Sequence, residues 1–112
     1  MSPDLRRAVL ELLREVESRP GMFVGSDSPT DQLRNLQWLL VGFELGYPQS
    51  TGDTPRGGFL GDFGEYLRTT HGWSVARGPI AAVISAATGD KDRWVLFWKC
   101  VHEYEERSLG DD

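Results

Sequence analysis

Cysteine and histidine are scarce in this chain, and the chemistry they usually carry is correspondingly narrow: one cysteine, Cys100, and two histidines, His71 and His102, among 112 residues. A single thiol cannot close an internal disulfide, which fits a reducing compartment. The three residues also fall short of any zinc spacing with a full ligand set, so no metal site is expected. No run approaches the roughly 18 apolar residues that a membrane-spanning helix needs. The opening residues Met1 to Arg7 contain no apolar signal region, so a soluble cytoplasmic protein is expected. Cations are outnumbered, 12 Lys and Arg against 17 Asp and Glu, and the net charge of −5 argues against nonspecific binding to nucleic acid or an anionic membrane. The same balance suits a basic partner. Finally, no segment alternates apolar and polar residues with β-branched enrichment, which leaves Met22-Phe23-Val24 as the one strand-like stretch.

What is present is helical periodicity and large side chains. Four Trp, five Phe and three Tyr, within 39% hydrophobic content, can fill one core without disulfide or metal support. Ser2 caps a first helix with Pro3 at its first position, and Leu5, Val9, Leu12, Leu13 and Val16 form one apolar stripe ending before Pro20. A second helix starts at Ser28-Pro29-Thr30-Asp31, with Ser28 as cap, and runs to about Leu45. Its second half, Leu36 to Phe43, is apolar on nearly every side. That is the pattern of a central helix surrounded by others, with Gly42 allowing close approach of a neighbouring backbone. Residues 47–57 read as a flexible polar loop. Phe59, Phe63, Tyr66 and Leu67 mark a third helix closed by Gly72. Ile80 to Thr88 forms a slim fourth, with Gly89 at its C′ position. Asp90 caps the last helix, where Trp94, Phe97, Trp98, Val101 and Tyr104 make an aromatic stripe and residues 108–112 fray. The sum is an all-α, single-domain bundle of about five helices covering residues 1–112.

Few residues could carry chemistry, and each has a structural reading. Cys100 and Glu103 share a helix face at i and i+3 while His102 points elsewhere, and a cysteine on a Trp-rich helix reads as a small core residue. His71 suits a helix C-terminus, where the dipole favours a cation. Asp62 and Glu65 read as the solvated face of the Phe63 helix and not as a general acid/base pair. Gly57 to Gly64 imitates a phosphate loop, but it lacks the Gly-Lys-Ser/Thr ending, follows no strand, and places Phe59 and Phe63 where phosphates would approach. Trp94 and Trp98, at i and i+4, read as core and not as a ligand cage. Glu103, Glu105 and Glu106 oppose the dipole at a helix C-terminus slightly and are candidates for presentation to a cationic partner.

The connector Arg19-Pro20-Gly21-Met22-Phe23-Val24-Gly25 is shaped by more than polarity. Pro20 disfavours helical geometry at Arg19, Gly21 and Gly25 permit angles that other residues resist, and Met22 and Phe23 are expected to plug the bundle. The segment resembles the Arg-Pro-Gly-Met-Tyr-Ile-Gly stretch in the ATPase domain of type II DNA topoisomerase B subunits. Here the following helix offers Glu44 without the metal-binding Asn one turn away, and the other nucleotide motifs are missing, so ATP binding is rejected. A second resemblance covers most of the chain: Arg19 to Gly25, the Leu-rich helix Leu33 to Gly46, Phe59 to Leu67, Trp73, and Phe97 to Tyr104. This order is similar to that of small all-α bacterial proteins, some of them immunity proteins of toxin systems. The resemblance implies an immunity protein, and small size, acidic balance and the lack of catalytic motifs lead to the expectation of a non-enzymatic protein that neutralises a cognate toxin by direct contact, with no catalytic residue, metal or cofactor. Glu103, Glu105, Glu106, Asp62 and Glu65 are the candidate partner-binding residues. The alternative is a small enzyme or ligand carrier of a biosynthetic cluster, built around an interhelical pocket of Trp and Tyr. Oligomeric state is left open.

Overall fold

A computed structural model describes residues 3–25, 28–46 and 58–110, with the side chains of residues 108–110 excepted. The Ser2 cap and the 47–57 loop therefore lie outside the described residues. Among the described residues six helices follow in order: α1 Pro3–Ser18, α2 Pro20–Phe23, α3 Pro29–Gly46, α4 Phe59–His71, α5 Pro79–Ala86 and α6 Asp90–Gly110. No strand occurs among the described residues, so the all-α expectation holds with one helix more than anticipated.

The additional helix is the connector. Pro20 occupies its first turn, where a missing N–H costs nothing, and Arg19 lies outside helical geometry, as a residue before proline favours (φ −138°, ψ 62°). The single turn closes with the Val24 N–H donating to Pro20 O at 2.9 Å. This turn overturns part of the plug expectation: it carries Gly21 and Met22 outward and Val24 inward, so Met22 is 69% exposed while Val24 is buried and Phe23 packs half-buried on the core. Nor does either connector glycine adopt a positive φ. Space is tight at Gly25, where a Cβ would lie 3.2 Å from Gly21 O.

α1 buries the predicted stripe, with Leu5, Val9, Leu10, Leu13 and Val16 inside and Leu12 partly covered. α3 does pack against α1, α4, α5 and α6. It is not enclosed, however, which corrects the reading of Leu36 to Phe43. Leu33, Leu36 and Leu40 define the inner side, and Trp38 lies about 200° round the helix from Leu36. Trp38 is 71% and Leu45 69% exposed, and nothing lies within 4 Å of a Cβ placed at Gly42, so that glycine makes no close backbone contact.

The inner side of α3 also carries a buried acid. Glu44 Oε1 accepts the backbone N–H of Phe59 at 2.6 Å, placing a carboxylate on the N-terminus of α4 where the helix dipole favours it. A Cβ at Gly58 would collide with that carboxylate. α4 ends where Gly72 turns left-handed (φ 73°) and donates to Arg68 O. α5 ends at Ala86, with Ala87 extended, so Gly89 does not sit at its C′ position. The carbonyls there bond instead to Arg93, whose Nε donates to Ile84 O and Ala87 O while Nη1 donates to Thr30 Oγ1. Thr30 in turn donates to Asp90, which opens α6.

α6 supplies the aromatic half of the core. Phe97, Trp98, Val101 and Tyr104 are buried and Trp94 is half-buried. Tyr104 meets Phe59 and Phe63 edge-on at 5.5 and 5.6 Å, and Phe97 meets Phe63 edge-on at 6.0 Å. These are the offset geometries the ring quadrupole prefers. The α6 backbone stays helical through Gly110.

Candidate functional site

Where α4 ends beside α6, three chemically active side chains converge. Cys100 and Glu103 lie one turn apart on α6, as their i, i+3 spacing requires. Gly72 stops α4 just after His71 and leaves the imidazole against that face. Cys100 Sγ lies 4.0 Å from His71 Nε2, and Glu103 Oε1 lies 3.8 Å from the same nitrogen. All three donor atoms fall within 4.8 Å of one another.

Aromatic rings hold the imidazole in place. Trp73 stacks on it at 4.4 Å with planes 15° apart, and Tyr66 meets it edge-on at 6.5 Å. The Arg107 guanidinium lies over the other partner, 5.6 Å from the Tyr66 ring centre. Burial pushes the Cys100 thiol up to about 11, with the Glu103 carboxylate adding to the effect. Burial, then Glu103 and Cys100, also raise Tyr66. The thiol is therefore protonated at neutral pH, and it is not an activated nucleophile.

The geometry also separates this cluster from a catalytic relay. A relay needs the nucleophile on one imidazole nitrogen and the orienting carboxylate on the other. Here both Cys100 and Glu103 approach Nε2.

The other sequence candidates are dispersed. Asp62 is exposed and accepts the Tyr104 hydroxyl at 2.5 Å. Glu65 is exposed and bonds to Arg68, which lowers its pKa. Glu105 turns toward α1 and pairs with Arg14, its side chain only 13% exposed. Glu106 is exposed. His102 leaves the Cys100 face, as its position on the helix implies, and pairs with Glu17 of α1 at 3.1 Å. A cavity of about 360 Å³ lies between α5 and the link before it, lined by Trp73, Ser74, Arg77, Ala82 and Ser85 among others. Trp73 is its one aromatic, so it is not the Trp and Tyr pocket anticipated for a ligand carrier.

Sequence reasoning missed two features. His71 and Cys100 are 29 positions apart, and no local spacing signals that the end of α4 meets the third and fourth turns of α6. The exposed stripe of Trp38, Gly42 and Leu45 was masked by apolar residues all round α3, although the i, i+4, i+7 spacing was present. Compared with known proteins, the chain matches no family model, no curated protein and no solved structure.

Proposed function

We propose that this is a non-enzymatic binding protein that acts by direct contact with a cationic protein partner through the outer face of α3. In line with the resemblance to bacterial immunity proteins, that partner is a cognate toxin met in the cytoplasm. The observation that carries the reading is Trp38, 71% exposed, followed on the same face by the open notch at Gly42 and by exposed Leu45. A monomer gains nothing by leaving an indole in water, whereas tryptophan at the centre of an interface contributes disproportionately to affinity. The net charge of −5, with Glu106, Asp62 and Glu65 exposed, suits a basic partner and would act mainly on association rate. A Cys100 thiol pushed up to about 11 by burial, with both Cys100 and Glu103 near the same His71 nitrogen, supports a non-enzymatic reading.

The test is titration of the purified protein with the product of the adjacent reading frame in its native host, with growth rescue as a second readout. A one-to-one complex is expected, weakened about tenfold to a hundredfold by Trp38→Ala and abolished by Trp38→Glu, with circular dichroism unchanged. If the neighbouring product is not bound, or if Trp38→Glu binds and rescues as well as the parent, the reading fails.

A further inference from the structure

We propose that His71, Cys100 and Glu103 form a binding site for a zinc-class divalent cation that ties the end of α4 to α6. The three ligand types, imidazole, thiolate and carboxylate, are those that zinc accepts, and they come from two helices that the fold brings together independently.

The first argument is geometric. Tetrahedral zinc with bonds of about 2.0 to 2.3 Å sets its nitrogen, sulfur and oxygen donors roughly 3.3 to 3.6 Å apart. The observed separations of 4.0 Å for Cys100 to His71 and 3.8 Å for Glu103 to His71 exceed that by about half an ångström, and all three donors lie within 4.8 Å of one another. On binding, rotations of the His71, Cys100 and Glu103 side chains would draw the donors inward to these distances. Nε2 is the imidazole nitrogen near both partners, as one central ion requires.

The second argument is the state of Glu103. Its Oε1 atom is shut off from solvent and accepts no hydrogen bond, even though the side chain as a whole is 41% exposed. A carboxylate oxygen in that position lacks the donors that normally offset its desolvation. Oε1 is also the atom nearest His71 Nε2. A cation between them would supply the missing interaction, and the same cation would hold Cys100 as thiolate, its proton leaving to solvent on binding. Trp73 stacked on the imidazole fixes the ring orientation that a ligand needs.

Three protein ligands leave the fourth tetrahedral position to water, which His71 and Glu103 bring toward the solvent side. His102 and Glu17 form a separate exposed pair on the α1 side of α6 and supply the competing surface site against which the proposal is measured.

Cobalt(II), which replaces zinc and reports its ligands, is the probe. The full chain titrated with cobalt should show a thiolate-to-cobalt charge-transfer band saturating at one equivalent, with visible bands of tetrahedral intensity, and zinc should bleach both. His71→Ala and Glu103→Gln alter partly exposed side chains and should leave helicity intact while weakening cobalt binding at least tenfold. His102→Ala should leave it unchanged. Added zinc should raise Tm in the parent and not in His71→Ala. The proposal is overturned if no charge-transfer band forms at stoichiometric cobalt, if the band survives His71→Ala and Glu103→Gln undiminished, or if His102→Ala removes it. These readouts do not involve the α3 face, so they stand or fall apart from partner binding.

Discussion

Trp98 and Trp38 occupy mid-helix positions in neighbouring helices and meet opposite fates, the first 5% and the second 71% exposed. Trp98 belongs to a sealed seam where α6 aromatics pack edge-on against one another and against α4. Trp38 stands on a side of α3 that no helix among the described residues covers. The same residue type thus serves cohesion in one region and is left over in the other. Identity alone does not distinguish them. The neighbours do: Trp98 lies between Phe97 and Val101, both buried, whereas Trp38 shares its face with an open glycine.

The comparison breaks most visibly at Trp98. Trp98→Ala should cost on the order of 3 to 5 kcal/mol, enough to unfold a marginal domain, as read by urea denaturation. Trp98→Phe should cost much less, because it keeps most of the ring volume and removes an indole N–H that is buried with no acceptor. Equal losses in the two variants would show that the indole itself, not its volume, holds the seam.

Cys100 tests the seal by titration. Its thiol rises from an ordinary value of 9.0 to about 11 in the fold, with burial the first cause. A folded pKa above the unfolded one means that stability is intact below about pH 9 and declines as pH climbs toward about 11. Over that window the loss attributable to Cys100 should reach roughly 2 to 3 kcal/mol. Cys100→Ala lacks this term, so the difference between parent and variant denaturation curves should narrow or invert as pH rises. Parallel curves from pH 8 to 11 would mean that water reaches the thiol and the seam is not closed there.

A third variant asks whether the inner side of α3 is as tightly specified as α6. Gly58→Ala places a methyl group against the Glu44 carboxylate and should cost about 1 to 2 kcal/mol through loss of the α4 cap. Made in a Glu44→Ala background, the same change should cost markedly less, because the two residues act through one contact. Additive losses in thermal melts would remove Glu44 as the reason for the glycine.

Much of the sealed region was legible in the sequence. The i, i+4, i+7 stripe of α1 and the Phe97, Trp98, Val101, Tyr104 stripe of α6 announce their own inner faces, because polar residues fill the other sides. Proline and glycine marked the ends of α1 and α4 by rules that act within a few residues. The open region was illegible for the converse reason. A helix apolar all round gives no contrast from which to choose a side, so α3 read as enclosed when only its Leu33, Leu36, Leu40 side is covered. The α5 end was misjudged because a residue in the next helix, Arg93, takes its carbonyls. The His71, Cys100, Glu103 cluster and the Glu44 contact with α4 arise from tertiary packing between distant positions, which no local period encodes.

The smallest effect on stability belongs to Trp38, and its smallness is the informative part. Trp38→Ala should shift the unfolding free energy by no more than about 0.5 kcal/mol, since an indole that the fold leaves in water contributes little contact to lose. The change should nevertheless be visible in fluorescence. Of the four tryptophans, Trp38 is the one described as highly exposed, so its removal should shift the mean emission to shorter wavelength and reduce quenching by iodide. A loss above 2 kcal/mol would mean that Trp38 is covered in solution, either by the chain itself or by a second copy. Sedimentation separates these, because a self-associating face would lose its dimer in Trp38→Ala, whereas a covering segment would leave a monomer in both proteins. A stability change near zero together with the fluorescence shift would establish that Trp38 is not retained for the fold, and its reason must then lie in what the α3 face meets.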